Sequence, residues 1–224
     1  MSIRIVTLAD KSYFNYAKAL AFTAKQYCPE FIFHIVLVNM SGEYAEILQK
    51  INNKSVIQFE THQFSSKNEK CCYCANRRGE ILYQLRNKTK DVLVWIDADS
   101  LIRRPLSKLL KHAKKFDVSM SISRKGHLMS GLIVVNPTEG GFIFARAYAN
   151  YLRPRNIWIQ WFSAQSILLE FKRTLKKVTY GKLAPTFLDM EFSKSGVIWT
   201  LIKSTRNNRR FNKTLKKILR NIEK

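Results

Sequence analysis

The sequence predicts one α/β domain built on a mainly parallel central sheet with helices on both faces. Three observations lead there. Short, nearly continuous apolar runs alternate with longer segments whose apolar residues recur at helical spacing, the pattern of a sheet covered on both sides. The chain has 224 residues, a length at which a single domain buries roughly seven-tenths of the surface its unfolded form exposes. With 46% hydrophobic and 25% charged residues and only 8 Gly and 5 Pro, the composition excludes a disordered, collagen-like or linker-dominated chain. No internal repeat and no Pro- or Gly-rich linker marks a second domain.

Residues 3–8 are a β-branched apolar strand, and in 11–27 Phe14, Ala17, Ala21 and Ala24 follow at helical spacing, a β-α opening. A second buried strand (31–38), a short helix (43–51), a third strand (55–59) and a helix (75–85) continue the alternation. Val92-Leu93-Val94-Trp95-Ile96 is then a buried strand that runs directly into Asp97-Ala98-Asp99. Beyond it the pattern predicts a helix over 106–115, strands over 118–123 and 132–135, helices over 141–152 and 161–174, and a last strand over 197–202.

Charge is the outlier: 39 Lys and Arg stand against 16 Asp and Glu, a net +23. Residues 1–100 carry 13 basic and 10 acidic side chains, residues 101–224 carry 26 and 6, so the attraction for an anionic partner resides in the second half. Nucleic acid, an acidic membrane and a phosphorylated substrate all qualify. The aromatics lie in apolar runs and are not interleaved with the cations, which weakens the nucleic-acid reading.

Residues 207–224 form an amphipathic unit of their own beside a main domain of 1–206. Phe211, Leu215, Ile218, Leu219 and Ile222 make one apolar stripe, and Arg209, Arg210, Lys213, Lys216, Lys217 and Arg220 fill the other face, the pattern of a helix lying in the plane of an anionic bilayer. The alternative is a stripe packed on the domain with solvated cations.

No apolar run approaches the ~18 residues that a membrane span requires, and the opening Met-Ser-Ile-Arg-Ile-Val is a strand pattern without a signal-peptide core, so the expected location is cytoplasmic, peripheral on the cytoplasmic membrane face. Cys28, Cys71, Cys72 and Cys74 agree with a reducing compartment. No second Cys or His pair stands at zinc-finger spacing, and buried thiols are the expected reading.

Asp97 and Asp99 leave the carboxyl end of a buried strand, where ligands of open α/β sheets bind. Acids at i and i+2 with a small residue between them can converge on one hard cation such as Mg²⁺ or Mn²⁺ shared with a diphosphate. The alternative is that Asp99 caps the next segment while Asp97 is solvated.

The stretch from Val92 to Ile102, with Asp97-Ala98-Asp99 at its centre and Arg104-Pro105-Leu106 after it, resembles the DxD segment of GT-A fold nucleotide-sugar glycosyltransferases. It is most similar to the group that contains glycogenin and the lipopolysaccharide galactosyltransferases. The resemblance implies that Asp97 and Asp99 bind the metal and that Asp97 also meets the donor. It further implies that Thr7, Ala9, Asp10 and Tyr13 form the turn that holds the nucleotide base, with a lean toward uridine; the alternative is that Asp10 caps the first helix and Tyr13 lies in the core. Arg78 matches an Arg on the helix before the DxD strand, where a guanidinium suits a diphosphate. Ser130 and Gly131, in Met129-Ser130-Gly131-Leu132, match the element on which the sugar lies against a glycine backbone.

Three departures accompany these matches, the first being Met129 in place of the usual polar residue before Ser130 and Gly131. The family's Asp-Gln pair at the reacting carbon aligns with Ala164-Gln165, so the Gln is present and the Asp is not. Lys203 matches the cation on the leaving diphosphate, yet the His that often ligates the metal in that tail is absent, since His34, His62, His112 and His127 all precede it.

The chemistry implied is metal-dependent transfer of a sugar from a UDP-sugar to a glycan or lipid-linked acceptor. Negative charge gathering on the departing diphosphate would be stabilised by Mn²⁺ or Mg²⁺ and by Arg78 and Lys203. Of the second-half carboxylates Glu170, Asp189 and Glu191, the preferred general base is Asp189. A nucleotidyltransferase needs a Gly-rich phosphate loop after the first strand, and residues 7–15 contain no Gly. A catalytically impaired protein of the same fold, binding nucleotide, membrane or nucleic acid, is the remaining alternative, kept in view by Ala164.

Overall fold

The computed structural model describes residues 2–124, 126–153, 163–201, 205 and 207–223, the side chains of 163–165 excepted. In chain order the elements are β1 (Ile3–Asp10), a 3-10 turn (Lys11–Tyr13), α1 (Phe14–Tyr27), β2 (Ile32–Val38), α2 (Gly42–Ile51), β3 (Ser55–Glu60), α3 (Lys67–Lys88), β4 (Val92–Ile96) and β5 (Ser100–Ile102). There follow α4 (Ser107–Ala113), β6 (Val118–Ile122), β7 (Leu128–Val135), α5 (Glu139–Leu152), α6 (Ser163–Thr174), β8 (Tyr180–Leu183), β9 (Leu188–Asp189), β10 (Ile198–Thr200) and α7 (Arg209–Ile222).

A seven-stranded sheet in the order β3-β2-β1-β4-β7-β6-β8 is the backbone of the domain, and β5-β10-β9 form a small second sheet. Helices α1, α2 and α4 cover one face of the large sheet through Leu20, Leu48 and Leu109, and α3, α5 and α6 cover the other through Leu82, Phe144 and Leu168. The first four strands of the sheet are parallel, as the alternating pattern predicts. In the other half one strand is reversed: β7 runs antiparallel to both β4 and β6, and β8 pairs parallel with β6. The β6–β7 connection is a tight turn in which Ser123 N donates to His127 O at 2.8 Å and Gly126 takes φ +80°, and so short a connection can only return antiparallel.

The expected helix over 75–85 starts earlier, at Lys67. Ser66 Oγ accepts from Glu69 N at 3.1 Å while the Glu69 carboxylate accepts from Ser65 N at 2.7 Å, a reciprocal cap that holds the first turn in place. This carries Lys70 and the cysteine cluster onto the helix, and all four cysteines are free thiols. Where α3 crosses α5, a Cβ on Gly79 would stand 3.0 Å from the Tyr148 carbonyl oxygen, so the glycine sets how closely the two helices approach.

The C-terminal helix does not present its apolar stripe to a bilayer. Phe211 and Ile218 are buried in a cluster with Ala19, Leu101, Phe192, Trp199 and Leu201, and Leu215 and Ile222 pack against it. The stripe and the packed alternative use the same residues, and α1 with the small sheet offers apolar surface that competes for them. Burying each such side chain contributes about 1.5–3 kcal/mol. Arg209, Arg210, Lys213, Lys216, Lys217 and Arg220 stay on the outer side. Among the described residues no helix is long and apolar enough to cross a membrane.

Candidate functional site

The chain builds β1, moves outward to β2 and β3, then crosses back to lay β4 on the other flank of β1. The carboxyl ends of β1 and β4 therefore bound a topological switch point, where loops diverge and leave a crevice. Val6 is in register with Trp95, so Asp10 and the Asp97-Ala98-Asp99 segment leave the sheet at the same edge.

On the β4 side Asp97 is the centre of a small polar constellation. Its Oδ1 accepts from Trp95 Nε1 at 2.8 Å and lies 3.3 Å from Arg78 Nη1, and its backbone N donates to Gly131 O at 3.1 Å. Arg78 is buried on α3. It donates from Nε to Ala75 O and from Nη1 to Ser130 O, each at 2.6 Å, and its guanidinium lies 5.5 Å from the Trp95 ring. Asp97 Oδ2 faces Gly131, where a Cβ would come within 3.1 Å of it and within 3.5 Å of Leu188 Cδ2. The side chain of Asp97 is one-third exposed against 8% for Arg78, so the pair presents carboxylate outward with the guanidinium behind it. Arg78, Asp97, Ser130 and Gly131 are thus brought together, and Asp99 follows two residues on, with its carbonyl accepting from Leu201 N at 3.1 Å.

On the β1 side Asp10 caps the turn that follows. Oδ1 accepts from Ser12 N at 2.9 Å, Ser12 Oγ at 2.6 Å and Tyr13 N at 3.1 Å, and Oδ2 is paired with Lys70 Nζ. Burial pushes the Asp10 carboxyl up, but Lys70, Ser12 and the Tyr13 amide outweigh it and hold the group below the usual carboxylate range. Tyr13 is half-buried against the core, with its ring 5.9 Å from that of Tyr16. Thr7 and Ala9 are buried within the strand, and Thr7 Oγ1 has no hydrogen-bond partner among the described residues. Thr7 and Ala9 shape the strand end beneath the crevice, and Asp10 acts there as a cap and ion-pair partner.

Asp189 lies elsewhere in its chemistry. It is 5% exposed, its Oδ1 accepts from Glu191 N at 2.8 Å, and its Oδ2 accepts from Ser193 N at 2.7 Å and Ser193 Oγ at 2.5 Å. A Cβ on Gly196 would fall 2.3 Å from Oδ2. Both oxygens are committed to shaping the 189–196 loop, so the geometry gives Asp189 a structural role in place of the expected base. Glu191 is exposed and pairs with Arg124 at 2.7 Å. The side chain of Gln165, and Lys203 altogether, lie outside the described residues.

Sequence reasoning missed Lys70, Trp95 and Leu188 as parts of the site. Lys70 follows a Ser-x-x-Glu cap signature at 66–69, the one signal that could have placed it on a helix. Trp95 was legible only as a strand residue.

Whether a divalent cation fits can be judged from the donors. Among the described residues no group of three or more His, Cys, Asp or Glu converges as a metal site. Mg²⁺, however, characteristically takes one or two carboxylates and completes its shell with water and substrate phosphate. Asp97 and Asp99, two residues apart, are two carboxylates, within the number such an ion takes from protein.

No protein-family model matches the chain, and no curated protein matches it either. Its shape does match solved structures. The glycosyltransferase GlyE of Streptococcus pneumoniae TIGR4 superposes with a TM-score of 0.66 at 12% identity over 97% of this chain and 61% of that one. The galactosyltransferase LgtC, in complex with donor and acceptor sugar analogs, superposes with a TM-score of 0.65 at 12% identity over 98% of this chain and 96% of that one. The chain thus spans about three-fifths of the GlyE structure and nearly all of the LgtC structure. It is a single α/β domain with the Rossmann-like GT-A fold of these neighbours.

Proposed function

We propose that the protein is a glycosyltransferase that moves a sugar from a nucleoside diphosphate sugar, a UDP-sugar, to a glycan or lipid-linked acceptor. One observation carries the reading: Asp97, held by Trp95 and backed by buried Arg78, turns a carboxylate oxygen toward Gly131 at the sheet's switch point. Asp97 and Asp99 would hold Mn²⁺ or Mg²⁺, which when bound supplies positive charge to the departing diphosphate. Arg78, 3.3 Å from Asp97 Oδ1, fixes the Asp97 rotamer and stands as a second positive charge behind it. Gly131, lacking a side chain, leaves room for the Asp97 carboxylate to lie against β7. Lys70 neutralises Asp10, so the β1 side of the crevice opposes an incoming diphosphate less than a bare carboxylate would. The cationic outer face of α7 suits an acceptor displayed at an anionic membrane surface.

A second reading, a protein of this fold that binds nucleotide without turnover, is favoured by Ala164 and by the commitment of Asp189 to its loop. Calorimetric titration with UDP in the presence and absence of Mn²⁺ tests binding: we expect Mn²⁺ to tighten it and Asp97→Asn or Asp99→Asn to remove that gain. Metal-independent binding unchanged by either variant would sink the proposal. Slow release of free sugar from a panel of UDP-sugars then separates the two readings, because donor hydrolysis needs no acceptor and a binding protein gives none.

A further inference from the structure

A second cationic centre stands apart from the Asp97 crevice. Trp199 on β10 carries two guanidinium groups on its indole, Arg103 at 4.4 Å and Arg210 at 5.1 Å from the ring centroid. The two charges are therefore no farther apart than the sum of these distances, within about one Debye length at 0.1 M salt. Each is attracted to the indole face, and among the described residues neither forms an ion pair with a carboxylate that would offset their mutual repulsion. Asp189, in register with Trp199, is engaged in its own loop, and Glu191 beyond it pairs with Arg124. Arg103 Nε is a buried donor with no hydrogen-bond partner among the described residues.

The setting is rigid. Trp199 Nε1 donates to Ser193 O at 3.0 Å, its ring packs edge-on to Phe192 at 5.9 Å, and Arg103 N donates to Val197 O at 2.8 Å. Arg209 and Arg210 also occupy the first turn of α7, which contains no acidic residue. Cations at a helix N-terminus oppose the macrodipole. The amides of Arg210 and Phe211 are already satisfied by Asn208, so the side chains, and not the helix end, are what a ligand would meet. Like charges concentrated on one anchored ring, with a buried donor left over, are the arrangement of an anion site awaiting its anion.

We propose that Arg103 and Arg210, stacked on Trp199, bind a phosphoryl group. Thr200 pairs with Ser100 in the small sheet, and Leu201 N bonds the Asp99 carbonyl, so the site adjoins the Asp97–Asp99 segment without including it.

The test uses the full chain with two probes, glucose 6-phosphate with glucose as its uncharged control, and phosphatidylglycerol-containing vesicles with phosphatidylcholine vesicles as theirs. Binding is followed by tryptophan fluorescence and by co-sedimentation. Arg103→Gln combined with Arg210→Gln should weaken binding of the charged probe at least tenfold, whereas Lys213→Gln combined with Lys217→Gln, on the same helix, should weaken it less than twofold. The probe that binds identifies a soluble phosphosugar or a lipid headgroup as the source. Equal losses in the two double variants, or no binding of either charged probe, would overturn the site. Circular dichroism checks that the double variants fold. Asp97→Asn should leave phosphoryl binding unchanged while altering UDP binding, so failure of one proposal is distinguishable from failure of the other.

Discussion

Arg78 and Asp97 meet at 3.3 Å, and the same Arg78 Nη1 donates at 2.6 Å to the carbonyl of Ser130. One guanidinium therefore ties α3 to the ends of both β4 and β7. Removing it strands a carbonyl and a carboxylate in a part-buried place. Arg78→Ala should lower unfolding stability by about 2–3 kcal/mol, less than a fully buried pair because Asp97 is one-third exposed. Arg78→Lys keeps the charge without the fork and should recover less than half of the loss. Urea denaturation followed by circular dichroism measures both.

Gly131 should separate function from stability. Alanine there brings a Cβ to 3.1 Å from Asp97 Oδ2, an atom at the end of a rotatable side chain. A shift of a few tenths of an ångström relieves that approach while the Trp95 and Arg78 contacts to Oδ1 persist, so the stability change should stay below about 1 kcal/mol. The displaced oxygen is the one that lies against Gly131. Mn²⁺-dependent UDP binding should fall about tenfold, and an equal fall in stability and binding would show that the glycine serves packing alone.

Phe211 and the lysines of α7 discriminate between a docked helix and one embedded in lipid. Phe211 is fully buried, with its ring 5.4 Å from Phe192 and 6.5 Å from Tyr16. Phe211→Ala should destabilise the soluble protein by about 3–4 kcal/mol. Lys216→Gln and Lys217→Gln, on the outer face, should change stability by less than about 0.5 kcal/mol. A helix that held its stripe free for a bilayer would leave thermal denaturation of the soluble protein insensitive to Phe211.

The parallel half of the sheet was legible because Val92 to Ile96 and its partners are apolar runs with no competing period. The strand leading into Asp97 could be read for the same reason. The start of α3 could not: Asn68, Cys71, Cys72 and Asn76 are indifferent helix formers, and the segment's apolar residues make no stripe. Strands as short as β9 exist through a partner, here β10, that no local pattern reveals. The Arg78 contact to Ser130 spans 52 positions, and the ion pair of Lys70 with Asp10 joins β1 to α3. Such contacts follow from topology, so residue types could nominate Asp97 and Arg78 but not the oxygen they share. The engagement of Asp189 was illegible on the same ground, since its hydrogen bonds depend on how the 189–196 loop closes.

His34 should give the stability curve its first acidic step. It is buried on β2 with Nδ1 3.4 Å from Arg4 Nη1, and Nε2 has no partner among the described residues. Burial, then the charges of Arg4 and Lys88, pushes its pKa from 6.5 down to about 4. The unfolded chain thus binds a proton that the folded one refuses. Stability is fully present above pH 6.5 and is lost as pH falls from there toward about 4, by about 3 kcal/mol at most. His34→Gln removes the titrating group and should flatten that limb while leaving any loss at lower pH in place. That lower limb belongs to carboxylates such as Asp91. Burial raises its pKa, but Ser2 and Arg4 outweigh this and hold it below the ordinary range, so its contribution is present above its unfolded pKa and disappears as pH falls through the native one. Urea titrations at stepped pH measure the difference, and an unchanged slope between pH 6.5 and 4 in His34→Gln would remove His34 as its source.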